Sequence, residues 1–234
     1  MFPLHDDNPA QTVPYVTWAL IAACVLVFVW QQSIGDAVQS AVYGLGMIPA
    51  VLLHSKSLPV ELDLLPAWMT VFTSMFLHGG WMHLIGNMLY LWIFGNNVED
   101  AMGHRRFIVF YLLCGVVAAL SQAALNPASE VPMIGASGAI SGVLGAYLLL
   151  YPHARVLVLI PIIIIFTTVR IAAYWVLGFW FVMQLFSTAA NAGQQGGVAF
   201  AAHVGGVVAG MVLIPLFKRR QVPLFAPALH QYQR

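Results

Sequence analysis

Six stretches of this chain, residues 14 to 31, 82 to 98, 107 to 125, 136 to 151, 171 to 187 and 198 to 217, contain no Asp, Glu, Lys or Arg at all. Runs of this length match the about 17 to 25 apolar residues that cross a bilayer as a helix, although the fourth is short. Lipid offers the backbone no hydrogen-bond partner, so each run must satisfy its own N–H and C=O groups as a helix. The expected fold is therefore all-α, a polytopic bundle of six membrane helices. A seventh apolar run, VLVLIPIIIIF at 156 to 166, is too short to cross and holds Pro161. It is expected in or near the interface.

Composition agrees, with 61% hydrophobic and 7% charged residues, against about 45 to 50% and about 25% in soluble domains. A net charge of +1 gives no reason to expect a nucleic-acid partner. Cys24 and Cys114 both lie in apolar runs, as packing residues rather than a disulfide. No Lys or Arg precedes the first run, so it lacks the basic start of a signal peptide and is expected to be retained. With six spans, one face collects Arg105, Arg106, Arg155, Arg170, Lys218, Arg219, Arg220 and Arg234, while the other holds Lys56. That asymmetry predicts cytoplasmic termini. Nothing marks a second domain, so residues 1 to 234 are read as one membrane unit, with a short cytoplasmic segment (1 to 13) and tail (218 to 234).

All eight acidic residues fall outside the six runs. This argues against aspartyl proteolysis, transport on buried carboxylates and zinc proteolysis, for which HExxH is also missing. The runs do hold His83 and Asn87, Ser137, and His203. Each lies 12 to 16 residues from the inner end of its helix, about 18 to 24 Å above that boundary. Four polar residues thus share one layer, nearer the outer face. Gly138 and Gly142 form one small-xxx-small pair, Gly206 and Gly210 another, and such faces let helices approach closely in lipid. Docking these two would bring Ser137 beside His203. A serine within reach of a histidine is an activated nucleophile, and His83 and Asn87, one turn apart, are donors of the type an oxyanion needs. Taken singly, the same residues have blander readings: a lone serine bonds back to its own helix, and an asparagine is interhelical glue. His54, His78 and Ser141 are read as structural, and Tyr174, Trp175, Phe179, Trp180 and Phe181 as lipid or bundle contacts.

At these residues the sequence resembles the rhomboid intramembrane serine proteases. The resemblance rests on GASG at 135 to 138, AHVGGVVAG at 202 to 210, HLIGN at 83 to 87 and LHGGWMH at 77 to 83, within about residues 68 to 217. It implies Ser137 as nucleophile, His203 as its base, and His83 with Asn87 at the oxyanion site. It also implies a first outer loop packed sideways in the membrane and a fifth span near a lateral substrate gate. No cofactor or metal is implied. The expected partners are single-span membrane substrates and the bilayer, with the protein in a bacterial inner membrane. Ser141 stands where some relatives carry a tyrosine stacked on the histidine, so support for His203 must come from elsewhere. The first outer loop also lacks the Trp-Arg pair of some members. Two other functions fit a polar layer among apolar helices: a non-catalytic relative that binds transmembrane helices, and a small-solute channel or transporter.

Overall fold

The structure is a computed structural model that describes residues 2–162, 165–190 and 199–227. It is mostly helical. The first apolar run forms α1 (Tyr15–Ser33). Three short helices follow in the segment between α1 and the next long helix, α2 (Val38–Leu45), α3 (Pro49–Leu52) and α4 (Ala67–Thr73). Then come α5 (Trp81–Met102), α6 (His104–Leu125), α7 (Ser137–Leu150), α8 (Ala173–Ala190) and α9 (Phe200–Phe217). Among the described residues, α1, α6 and α9 are long and apolar enough to cross a membrane by length and composition. Arg234 and residues 191–198 lie outside the described residues.

α7 is the central helix, packed against α5, α6 and α9. At 14 residues it is only about 21 Å long. Its small residues explain why so short a helix can sit at the centre. A Cβ at Gly206 would collide with the carbonyl of Gly138, and one at Gly210 with that of Gly142. Backbone therefore meets backbone along α7 and α9. Gly138 also faces Ala118 on α6, so α7 is gripped from two sides.

The expectation of a purely helical fold needs correction. β1 (Phe2–Asp6), β2 (Arg155–Ile162) and β3 (Ile165–Ala172) form an antiparallel sheet in the order β1-β2-β3. The run at 156 to 166 is thus chiefly strand, apart from residues 163–164, which lie outside the described residues. Its β-branched residues suit a pleated surface, and Val156 and Val158 point into the core. The fifth predicted span also begins slightly late, because residues 171 and 172 close the β2–β3 ladder. Asp6, the last residue of β1, is buried and accepts a hydrogen bond from the Tyr147 hydroxyl near the end of α7. Burial pushes its carboxyl up to about 6, opposed by that hydrogen bond.

A second correction concerns the carboxylates. Glu99 and Asp100 lie inside α5 rather than beyond its end, and Glu99 is fully buried. It accepts from the Val16 N–H (3.0 Å), the Thr17 N–H and hydroxyl (both 2.7 Å) and His104 Nδ1 (2.6 Å). Helix α1 has no side-chain cap of its own. Glu99 supplies one from a neighbouring helix, at the positive end of the α1 dipole. We expect Glu99→Ala to destabilise the bundle by about 3 kcal/mol or more, because it orphans several buried donors at once. Thermal unfolding in detergent measures this, and a melting temperature equal to wild type would show that water replaces the carboxylate.

Candidate active site

Ser137 is the first residue of α7, so its own N–H has no acceptor within the helix. The strand-like approach to it is stapled: Met47 and Met133 exchange backbone hydrogen bonds (3.1 and 2.8 Å), and the Gly135 N–H donates to the Ser74 carbonyl (2.8 Å). Gly135 has φ of +120°, and a Cβ there would fall 2.7 Å from His83 Nε2. Only glycine leaves that space open.

His203 on α9 is buried. Its Nε2 lies 2.7 Å from Ser137 Oγ, and its Nδ1 lies 2.8 Å from Gln184 Oε1 on α8. These two contacts define the proton positions. The amide oxygen only accepts, so Nδ1 carries the hydrogen, and Nε2 presents its lone pair to the serine hydroxyl. Trp180, one turn before Gln184, lies against the imidazole at 5.8 Å between ring centroids and an angle of 38°.

His83 has the complementary tautomer. Its Nδ1 accepts from the Gly79 N–H at 3.3 Å, so Nε2 carries the hydrogen and points toward the space beside Gly135. Asn87 Nδ2 is buried and, among the described residues, has no hydrogen-bond partner; a Cβ on Gly135 would lie 3.7 Å from it. An unpaired buried donor is costly, at about 1 to 3 kcal/mol. Here it is aimed where a developing oxyanion would lie. His78 braces the arrangement edge-on against His83, with centroids 5.2 Å apart, and is held in turn by Gln31 of α1, whose side chain bonds both its N–H and its carbonyl.

Ser137, His203 and His83 line two cavities. One, of about 470 Å³, opens among the residue 132–135 stretch, α6 and α9. The other, of about 220 Å³, lies between α5 and α8 and is lined by Tyr90, Trp180 and Gln184.

The structure thus brings together all four polar residues singled out in the sequence. It also adds Gln184, which the sequence reading missed. Its signal was a lone amide in an otherwise apolar and aromatic span, on the same face as Trp180. Of the two readings given for Trp180, lipid or bundle contact, the structure shows the second, against His203. Ser141, at the tyrosine position, turns back to the Ser137 carbonyl at 2.6 Å. His54 stands apart, at a positive φ of 58° in the segment between α3 and α4.

A family model described as "Rhomboid domain" matches residues 66–220. The chain is 29% identical over 181 residues to "Rhomboid protein 1, mitochondrial" of Saccharomyces cerevisiae, covering 74% of this chain and 49% of that protein. It is 41% identical over 81 residues to "Rhomboid protease GluP" of Bacillus subtilis, covering 35% and 15%. With "Rhomboid protease GlpG" of Klebsiella pneumoniae it shares 27% identity over 121 residues, covering 52% and 39%. The chain spans about half or less of the length of these relatives.

Proposed function

This chain belongs to the rhomboid family of integral membrane proteins, and on that premise we propose that it is an intramembrane serine endopeptidase acting through Ser137 and His203. The observation that carries this reading is the relay from Ser137 Oγ to His203 Nε2 and from Nδ1 to Gln184 Oε1, at 2.7 and 2.8 Å. In the reaction, Ser137 Oγ attacks the carbonyl carbon of a peptide bond while its proton passes to His203 Nε2. The carbonyl oxygen becomes an oxyanion that accepts from His83 Nε2–H, Asn87 Nδ2–H and the Ser137 N–H. Collapse breaks the C–N bond, and Nε2 returns the proton to the leaving amine. Water, activated by the freed Nε2, then hydrolyses the acyl-serine ester and releases the acid. Gln184 holds the imidazole in the one tautomer able to begin this cycle.

The bundle crosses the membrane six times, through α1, α5, α6, α7, α8 and α9, as one domain with its rhomboid core at about residues 68 to 217. Both termini face the cytoplasm of a bacterial inner membrane, a reading supported by the charge asymmetry. Substrates are single-span membrane proteins entering beside α8. A substrate helix must open to expose its peptide bond, so Gly, Pro or polar residues near the outer end of its span favour cleavage.

Incubation of the purified full chain with a single-span substrate tests the proposal. We expect one outer-end cut by mass spectrometry, fluorophosphonate labelling at Ser137 and no loss with a chelator. Absence of labelling and cleavage would leave a helix-binding relative, and solute flux in liposomes a channel. We further expect Gln184→Leu to lower kcat about 10-fold or more with KM little changed, and Gln184→Glu, which keeps the acceptor, to restore most of it. Equal kcat in the Leu variant would remove Gln184 from the relay.

A further inference from the structure

At the end of the bundle opposite Ser137, Met102, Gly103, Arg105, Arg106, Arg219 and Arg220 line an open cleft of about 650 Å³. We propose that this cleft binds a phosphate group, presented by an anionic phospholipid of the surrounding leaflet.

The cleft is built rather than merely charged. The Arg219 N–H donates to the Ala101 carbonyl at 2.8 Å, which ties the segment after α9 to the end of α5. Its guanidinium then lies over Gly103, where a Cβ would come 3.3 Å from Nη2, and Gly103 itself holds a φ of +85°. Any other residue would strain the turn and push the guanidinium away. Arg106 Nη1 reaches the Phe217 and Lys218 carbonyls at 3.4 and 3.5 Å, and so is held across the mouth. Arg105 and Arg220 are exposed beside it.

The charge of this cleft is unbalanced. Among the described residues, the basic side chains within 4.0 Å of a carboxylate are Lys56, beside Glu130, and His104, beside Glu99. None of the four guanidiniums therefore has a carboxylate partner there. Helix α6 opens with His104, Arg105 and Arg106 and has no acid in its first turn, so Arg105 and Arg106 crowd the positive end of its dipole. Four guanidiniums gathered at one cleft repel one another, and an anion among them removes that repulsion. Planar guanidiniums suit phosphate oxygens through paired N–H donors.

Position selects the lipid as the source. The cleft lies where the apolar helix α6 begins and the apolar helix α9 ends, hence at headgroup level, and basic pockets between helices at such depths hold anionic headgroups. Just above it the exposed Val109 and Leu216 offer an apolar flank for acyl chains. A topological role alone would need only positive charge at this end, with no geometry.

The test is native mass spectrometry of the delipidated full chain with phosphatidylglycerol or phosphatidylcholine, and a parallel titration with inorganic phosphate. We expect phosphatidylglycerol to be retained over phosphatidylcholine. Retention should fall about fivefold in each of Arg105→Gln and Arg219→Gln and stay at wild type in Arg170→Gln, which removes an arginine of the sheet outside the cleft. If inorganic phosphate binds with the same variant dependence and phosphatidylglycerol gains nothing over phosphatidylcholine, the phosphate site stands and its source is soluble. The proposal is overturned if neither ligand binds, if the cleft variants bind as wild type, or if Arg170→Gln loses as much as they do. Should Arg219→Gln fail to fold, the exposed Arg105 and Arg220 carry the comparison. Proteolysis plays no part in these readouts, so they are independent of whether Ser137 is a nucleophile.

Discussion

Ser137→Ala and His203→Ala should each lower kcat for a single-span substrate by at least about 10⁴-fold, and the double variant should be no worse than either. The non-additivity follows from the geometry. Ser137 Oγ and His203 Nε2 share one hydrogen bond of 2.7 Å, so either loss ends the same proton transfer. Folding should survive in the serine variant, since a small, half-buried hydroxyl is all that is removed. His203 is larger and bridges α7 to α8, so His203→Gln serves as the second variant, filling most of the space without acting as a base. The measurement is initial-rate cleavage in detergent beside a thermal melt. Turnover within about tenfold of wild type by a folded variant would end the serine mechanism.

Asn87→Ala should lower kcat about 10²- to 10³-fold with little change in KM, because in the proposed mechanism its amide binds the oxyanion and not the ground-state carbonyl. The same substitution should leave the melting temperature unchanged or raise it. Asn87 Nδ2 is buried without a partner among the described residues of the resting protein, so its removal relieves an unpaired donor instead of breaking a bond. The combination is diagnostic: a packing asparagine would lose stability and keep its rate. A raised KM at unchanged kcat would assign Asn87 to substrate binding alone. His83→Ala should give a smaller loss if Asn87 and the Ser137 N–H remain, and its effect on His78 makes it the less clean variant.

Much of the site was legible because each signal is local or periodic. Ser137 could be singled out as a hydroxyl at the head of a glycine-rich run, and His203 as an imidazole above its own pair of glycines. A shared depth follows from helix rise alone. Their pairing was inferable because Gly206 and Gly210 have no side chains to hold α9 away from α7, and the carbonyls of Gly138 and Gly142 do meet them. Gln184 was not legible. Its relevance depends on the rotation of α8 about its axis, and nothing in an all-round apolar helix fixes that rotation before it packs.

The sheet escaped notice because a run of Val, Leu and Ile beside a membrane reads equally as buried strand or interfacial helix. Only the partners Phe2–Asp6 and Ile165–Ala172 decide it. Glu99 was placed outside its span because a carboxylate is costly in lipid, and the compensating donors, Val16, Thr17 and His104, come from elsewhere in the chain. The Arg105–Arg219 cleft likewise joins residues more than a hundred positions apart. By itself, then, the sequence determined that the chain enters a membrane as helices and that serine, histidine and asparagine share a level within it, since hydropathy and helical rise are properties of contiguous residues. The tertiary structure alone decided which tautomer His203 holds, which donor is left unpaired and which charges stand unbalanced, because each depends on the angle at which one helix meets another.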